Sequence, residues 1–371
     1  MLIPLISTFA DVTGSAVDLS DKLLSAKQRE KSGSLAQDRF DFQACWGITH
    51  LLDLHESTTD YAVAFEFHDD ILVIDHTAGP TKVRFYQVKT KDAGLWTMYE
   101  ISRRTKGKAG LKPSIAGKMF SNKERFPDET EHLGFVSNKP ADFISKKYPC
   151  AFKETDKATY ALFLSDLKNE FPGVVSDADG DLFHYHQTDF SLEKYQTFLV
   201  GRVADFIKNT CGDLQSGHDG FRLALVDRCR DRSKHMKDVS SFAELLKAKF
   251  VRRADLDEWV ENLKVANTQR PSWDAVQSLL TKSKPLRLRD LKRQWDRYDT
   301  DRFKVSDVAL HHLRTAIRQE IVAFGTINPD AVMEEIMEGV LLTVGKVAEH
   351  VAPQMPKDYV RAGILYEFMS S

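Results

Sequence analysis

The stretch that most constrains the fold is YAVAFEFHDDILVIDHTAGPTKVRFYQVKT, residues 61–90. Apolar residues alternate in short runs punctuated by Gly79-Pro80, which predicts strands at Tyr61–Phe67, Ile71–Asp75 and Lys82–Thr90. Side chains of a strand alternate between its faces. Tyr61, Val63, Phe65 and Phe67 are therefore expected on one face, with Ala62, Ala64, Glu66 and His68 on the other. By the same parity Gln87 and Lys89 share a face, opposite Tyr86 and Val88. Antiparallel pairing across Gly79-Pro80 brings Asp70 beside Gln87 and Lys89, so an acid, an amide and an amine converge at one strand end.

Around this core the chain reads as a mixed α/β unit. From Lys31, KSGSLAQDRFDFQACWGITHLLDLHE carries Phe40, Ala44, Gly47, Ile48 and Leu51 on one helical face. Gln43 lies in that stripe, so a polar side chain points at the sheet and needs a partner there. Further strands are expected at His132–Ser137 and Asp181–Phe190, and helices near 114–122, 155–169 and 192–210. Beyond about Asp213 the periodicity is helical. Ser241 and Glu244 have capping-box spacing, and Asn328-Pro329 reads as an N-cap before a first-turn proline. We expect an all-α region there, and three parts in all: an N-terminal segment 1–27, an α/β domain 28–212 and a helical oligomerisation or partner-docking domain 213–371.

A chain of 371 residues with 42% hydrophobic content can bury more than one core. Its net charge of −2 means that a polyanion must be met by a local basic patch. Lys91, Arg103, Arg104, Lys106, Lys108, Lys112 and Lys118 read either as such a patch, suited to gripping a phosphate backbone without reading bases, or as a plain solvated loop. The basic cluster at 227–237 is interleaved with aspartates and reads as an ordinary helix surface. Cys45, Cys150, Cys211 and Cys229 lack CxxC spacing, which argues against a zinc knuckle or disulfide framework. His184 and His186 share a strand face, but no third ligand is in view and they read as structural. No apolar run reaches the roughly 18 residues of a membrane span, and MLIPLISTFADV lacks the basic start of a signal peptide, so a cytoplasmic protein is expected.

Hydrolysis of a phosphodiester needs a hard cation held by oxygens and a positive group where charge develops. Singly, Gln87-x-Lys89 reads as a strand edge, Asp69-Asp70 as a turn, Gln43 as a backbone clamp and Glu66 as half of an ion pair. It is the ordered set Gln43, Glu66, Asp70, Gln87 and Lys89 that points to catalysis.

The runs KSGSLAQDRFDFQ, DYAVAFEFHDDILVID, FYQVKTKDAGLWT, SIAGKMF and LGFVSNKP resemble the double-stranded DNA endonuclease domain of bacterial antiphage effectors over roughly residues 28–210. That domain occurs in CBASS effector nucleases, in Lamassu nuclease subunits and in nucleases partnered by HerA-type ATPases. The resemblance implies the PD-(D/E)xK superfamily, with a restriction-endonuclease-like mixed sheet flanked by helices. Its third motif is Gln87-Val88-Lys89 here, in place of the commoner Glu-x-Lys. By this resemblance Asp70, Gln87 and Glu66 would hold Mg²⁺, with Mn²⁺ as a substitute. Lys89 would orient or activate water and stabilise the phosphorane, and Gln43 would complete the shell. The glutamine removes one negative charge and leaves the number of metals open. The resemblance further implies double-stranded DNA as substrate and control by an SMC-like or HerA-like ATPase, and the apolar stripes of the C-terminal helices suit a homo-oligomer or ATPase docking. The alternatives are a catalytically inactive nucleic-acid-binding or scaffolding subunit, or a nuclease acting on RNA. Retention of Asp70, Gln87 and Lys89 together favours the enzyme.

Overall fold

A computed structural model describes residues 31–370 apart from 109, 145–147, 215–216, 236–238, 269, 303–307 and 352–354. The segment 1–27 set apart in the sequence lies outside the described residues.

The leading helix α1 (Lys31–Ser57) buries Phe42, Cys45, Trp46, Ile48, Leu51 and Leu52 against a sheet. Gly47 permits that approach, because a Cβ there would stand 2.5 Å from both Ile71 Cδ1 and Phe65 Cε1. The three strands expected next form an antiparallel meander, β1 (Ala62–Phe67), β2 (Asp69–Ile74) and β3 (Val83–Lys89). Ile71 pairs with Tyr86, which leaves Asp70 at the mouth of the β2–β3 ladder as the parity argument requires.

The chain then makes a short helix α2 (Met98–Ser102), a hairpin of β4 (Thr105–Gly107) and β5 (Gly110–Lys112), and helix α3 (Ile115–Arg125), capped by the Ser114 hydroxyl. Strand β6 (Thr130–Ser137) returns parallel to β3. After β7 (Cys150–Ala151) and α4 (Lys157–Glu170), β8 (Phe183–Gln187) lies parallel to β6. Helix α5 (Tyr195–Cys211) closes the stretch expected to be α/β. The sheet has seven strands in the order β7-β8-β6-β3-β2-β1-β9, mostly antiparallel and covered on both faces.

The last member of that order, β9 (Phe250–Arg252), comes from the region expected to be all helical. It pairs with β1 through Ala62–Arg252, Val63–Val251 and Ala64–Phe250. Helices α6 (His218–Ser233), α7 (Phe242–Lys249) and α8 (Arg253–Thr268) surround it. Phe221, Leu225, Cys229, Leu256 and Val260 belong to the same core as α1 and the sheet. Packing therefore changes core near residue 270 and not at residue 213. A three-residue strand is too short to carry an alternation, and only its pairing to β1 defines it.

The remaining helices, α9 (Trp273–Leu279), α10 (Pro285–Asp301), α11 (Val308–Ile327), α12 (Met333–Val351) and α13 (Lys357–Met369), build a second core around Trp295, Tyr298, Ile317, Val340 and Tyr366. Glu367, 1% exposed, accepts from Tyr298 Oη at 2.9 Å and Arg314 Nε at 3.0 Å, which satisfies its buried carboxylate. Asn328-Pro329 does not open α12. The first residue of that helix is Met333, and the Val332 N–H just before it donates to Glu335.

One face assignment also changes. Tyr61, Val63 and Phe65 pack under α1, and Ala62 and Ala64 on the other side, as alternation requires. Phe67 packs with Ala62 and Ala64 on the sheet face away from α1. Glu66 and His68 adopt left-handed backbone, φ 51° and 63°, and this break in the strand reverses the parity.

Candidate active site

The site forms where β1, β2 and β3 end beneath α1 and α6. Asp70 Oδ2 accepts from the Val88 N–H at 2.7 Å, from Lys89 Nζ at 3.3 Å and from Gln87 Nε2. The register explains this: Asp70 stands opposite Gln87, one step beyond the Ile71–Tyr86 pair. Gln43 fills the partner vacancy predicted for it by donating from Nε2 to the Val88 carbonyl at 3.2 Å, and Lys89 Nζ reaches the same oxygen at 3.2 Å. The helix thus clamps the strand end that presents the Gln-Val-Lys motif.

Glu66 lines the same narrow crevice with Phe40, Gln43, Asp70, Arg230 and Ser233. The reversed parity described above turns it there. Burial, then the charge of Asp70, pushes its carboxyl above the usual range. Asp69, which reads as a mere turn residue, accepts from Asn122 Nδ2 and from the Asp70 N–H, each at 2.9 Å. Burial and Asp70 raise its pKa to about 7.

Burial and the Asp70 charge raise both Asp69 and Glu66, and a bound cation relieves such repulsion. Among the described residues no group of three or more His, Cys, Asp or Glu side chains stands ready to hold a metal. The hard donors at the crevice are instead two carboxylates, Asp70 and Glu66, with the Val88 carbonyl and the Gln87 amide beside them. Such a mixture of charged and neutral oxygens fits Mg²⁺, which tolerates few protein ligands and keeps waters.

Residues 31–233, more than half of the chain, match the model of the Cap4 dsDNA endonuclease domain. The chain belongs to that family. Lamassu protein LmuA of Bacillus cereus (strain VD014) is 22% identical to it over 272 residues, covering 71% of this chain and 72% of the relative. The resemblance drawn from the motifs is borne out, and the Cap4-type domain spans α1 to α6.

Within this Cap4-type domain the basic residues divide. Lys91 Nζ is engaged locally, by the Leu95 carbonyl at 2.5 Å and Glu100 at 2.7 Å, and it lies over the Trp96 ring. Arg103 stacks on Tyr99, 4.9 Å from its centroid, and Arg104 donates to the Leu111 carbonyl at 3.2 Å. Lys106 and Lys112 project from the exposed β4–β5 hairpin, Lys108 from its turn and Lys118 from α3. The stretch read as a basic loop is therefore a ribbon, whose strands of three residues are too short to show alternation.

Arg230, in the cluster read as helix surface, donates to Asp41 at 2.5 Å and reaches the crevice. No local pattern marks it, because only the fold of α6 over α1 brings it there. His184 and His186 both meet His132. His132 Nε2 lies 2.9 Å from His186 Nε2, and the His132 and His184 rings stack at 4.3 Å.

Proposed function

We propose that this chain is a divalent-metal-dependent endonuclease of double-stranded DNA, acting in the cytoplasm as an effector of antiphage defence. The observation that carries the reading is the convergence of Gln87, Val88 N–H and Lys89 on one oxygen of Asp70, with Glu66 alongside. Asp70, Glu66, the Gln87 amide oxygen and the Val88 carbonyl would hold the ion. When bound, it supplies positive charge to the scissile phosphate and its attacking water.

The chain's own groups do the rest. The Val88 N–H fixes the Asp70 carboxylate, and Gln43 fixes the Val88 carbonyl. Lys89 carries its ammonium at the strand end, where it donates to a non-bridging phosphate oxygen and meets the charge that develops in the transition state. Without a cation, Lys89 pairs with Asp70 at 3.3 Å. Arg103, Arg104, Lys106, Lys108 and Lys112 on the hairpin side and Lys118 on α3 grip the duplex backbone.

An unrestrained nuclease would destroy its host, so activity is governed by assembly with a partner ATPase, SMC-like or HerA-like, and by homo-oligomerisation. The Lamassu name of the Bacillus relative supports a defence role. Exposed apolar residues on the helical region, Leu286 at 68%, Val322 at 69%, Ile327 at 78% and Leu342 at 77%, support docking there. Among the described residues no helix is long and apolar enough to cross a membrane.

The test is incubation of the purified chain with plasmid, linear duplex and tRNA, in Mg²⁺, Mn²⁺ or EDTA, with and without an SMC-like or HerA-like ATPase. Cutting of duplex DNA that EDTA abolishes is expected. Cutting of tRNA alone, or cutting that persists in EDTA, would overturn the reading.

A further inference from the structure

A cation from outside the family segment is bonded to the wall of the crevice. Lys249 ends α7, beyond the matched residues 31–233, and is 8% exposed. Its Nζ donates to the Ser233 carbonyl at 2.8 Å, and Ser233 itself lines the crevice with Glu66 and Asp70. The same ammonium sits 5.7 Å from the centroid of the Phe67 ring, which packs edge-on against Phe250 at 5.9 Å.

A buried ammonium is costly unless an opposite charge faces it. Here the Ser233 carbonyl and the face of the Phe67 ring take up the ammonium, and the charge of Glu66 opposes the downward pull of burial on its pKa. Phe67 is flanked by the two left-handed residues, Glu66 and His68. Such backbone is costly for a residue with a side chain and persists only where its surroundings hold it. Lys249 and Phe250 pack on Phe67 of this turn, and Phe126 packs on His68.

We propose that Lys249 is a positioning residue of the nuclease site, pinning the Glu66-Phe67-His68 turn through its charge and its contact with Phe67, so that Glu66 stays beside Asp70. The inference rests on the metal-dependent nuclease reading. It makes the site a joint product of the family domain and the α7–β9 segment that follows. A rearrangement drawing α7 away from α6 would then release Glu66 and disarm the site with Asp70, Gln87 and Lys89 untouched.

The test uses the full-length chain with Lys249→Met, which keeps an apolar stem without charge, and Lys249→Arg, which keeps the charge. Three quantities are measured: calorimetric binding of Ca²⁺, amide exchange over residues 65–70, and single-turnover cleavage in Mg²⁺. Lys249→Met is expected to weaken Ca²⁺ binding by about 10-fold or more, the size typical when a group orienting a metal ligand is lost. It should also quicken exchange in the turn and slow cleavage, with duplex affinity in EDTA unchanged and Lys249→Arg restoring all three. A Lys249→Met protein with a lower melting temperature but unaltered Ca²⁺ affinity and turn exchange would overturn the proposal. Were the wild type neither to bind Ca²⁺ nor to cut, the nuclease reading would fall, and the exchange rates would still decide whether Lys249 holds the turn.

Discussion

One carboxylate oxygen, Asp70 Oδ2, takes three donors from β3, and the residue-scale chemistry follows from it. Asp70→Asn keeps the shape but removes the charge that a hard cation and Lys89 both need. Cleavage is expected to fall by about 10²-fold or more, in line with the loss of one preorganised electrostatic group, and a Mg²⁺ titration of cleavage rate checks it. Gln87→Glu should behave oppositely toward metal. It sets a second carboxylate against Asp70, so half-saturation should move to lower Mg²⁺ while the metal-free protein melts earlier. A higher Mg²⁺ requirement would contradict this. Asp70, Gln87 and Lys89 are legible in the sequence because strand parity and one turn suffice to bring them together. Glu66 is found there with the wrong face, since nothing local announces the left-handed backbone that turns it. Asp69, Arg230 and Lys249 escape entirely, because their roles arise from Asn122, Asp41 and Ser233 on other elements.

At the scale of elements, the β4–β5 ribbon and the strands beneath α1 make separate predictions. Replacing Lys106, Lys108 and Lys112 by Ala should weaken duplex binding alike for all sequences and flatten the log–log salt slope by about 0.9 per lost phosphate contact. Titrating affinity against salt would show it, and an unchanged slope would remove the ribbon from the interface. The histidines on α1, β6 and β8 set the response to acid. Burial, with Arg84 and neighbouring rings adding positive charge, pushes His50 down to about 4, His132 to about 2 and His186 to about 3. Unfolded histidine titrates near 6.5, so below that pH the unfolded chain binds protons that the folded one refuses. Stability is unaffected above about 6.5 and falls as pH drops, by up to about 1.4 kcal/mol per pH unit for each histidine. Partial exposure of the rings reduces that figure. Thermal melts between pH 7.5 and 5 should fall steeply below 6.5, and a flat profile would contradict the buried neutral cluster. His184 and His186 are recognisable in sequence as a pair on one strand, whereas His50 and His132 join them only through the packing of α1 and the pairing of β6 with β8.

For the whole molecule the informative line runs near residue 270. The core that includes α1 and the sheet ends at Leu263, and the next core begins at Val276. The two are joined by polar contacts such as Arg270 to Asp299 at 2.8 Å and Arg302 to the Ala266 carbonyl at 2.7 Å. A chain ending at 270 should fold cooperatively and keep its site, whereas one ending at 213 loses β9, α6 and the Lys249 contact, leaving the edge of β1 and the α1 core exposed. Cooperative melting of the longer piece alone is the expected result. Equal stability of both would contradict the assignment of α6 to β9 to the nuclease body. The helical character of the C-terminal region is readable from its periodicity, yet the change of core is not, because helices packed on a sheet and helices packed on one another carry the same apolar stripe. Full-length protein and the 270-residue piece compared by light scattering would show whether the last five helices assemble copies of the chain. The most direct measurement is the single-turnover cleavage of a labelled duplex in Mg²⁺ by wild-type protein and by Lys89→Met, each verified as folded by its melting curve. The predicted result is cutting by the wild type and a loss of at least about 10²-fold in the variant with DNA binding retained; equal rates for the two proteins would contradict the assignment of the site.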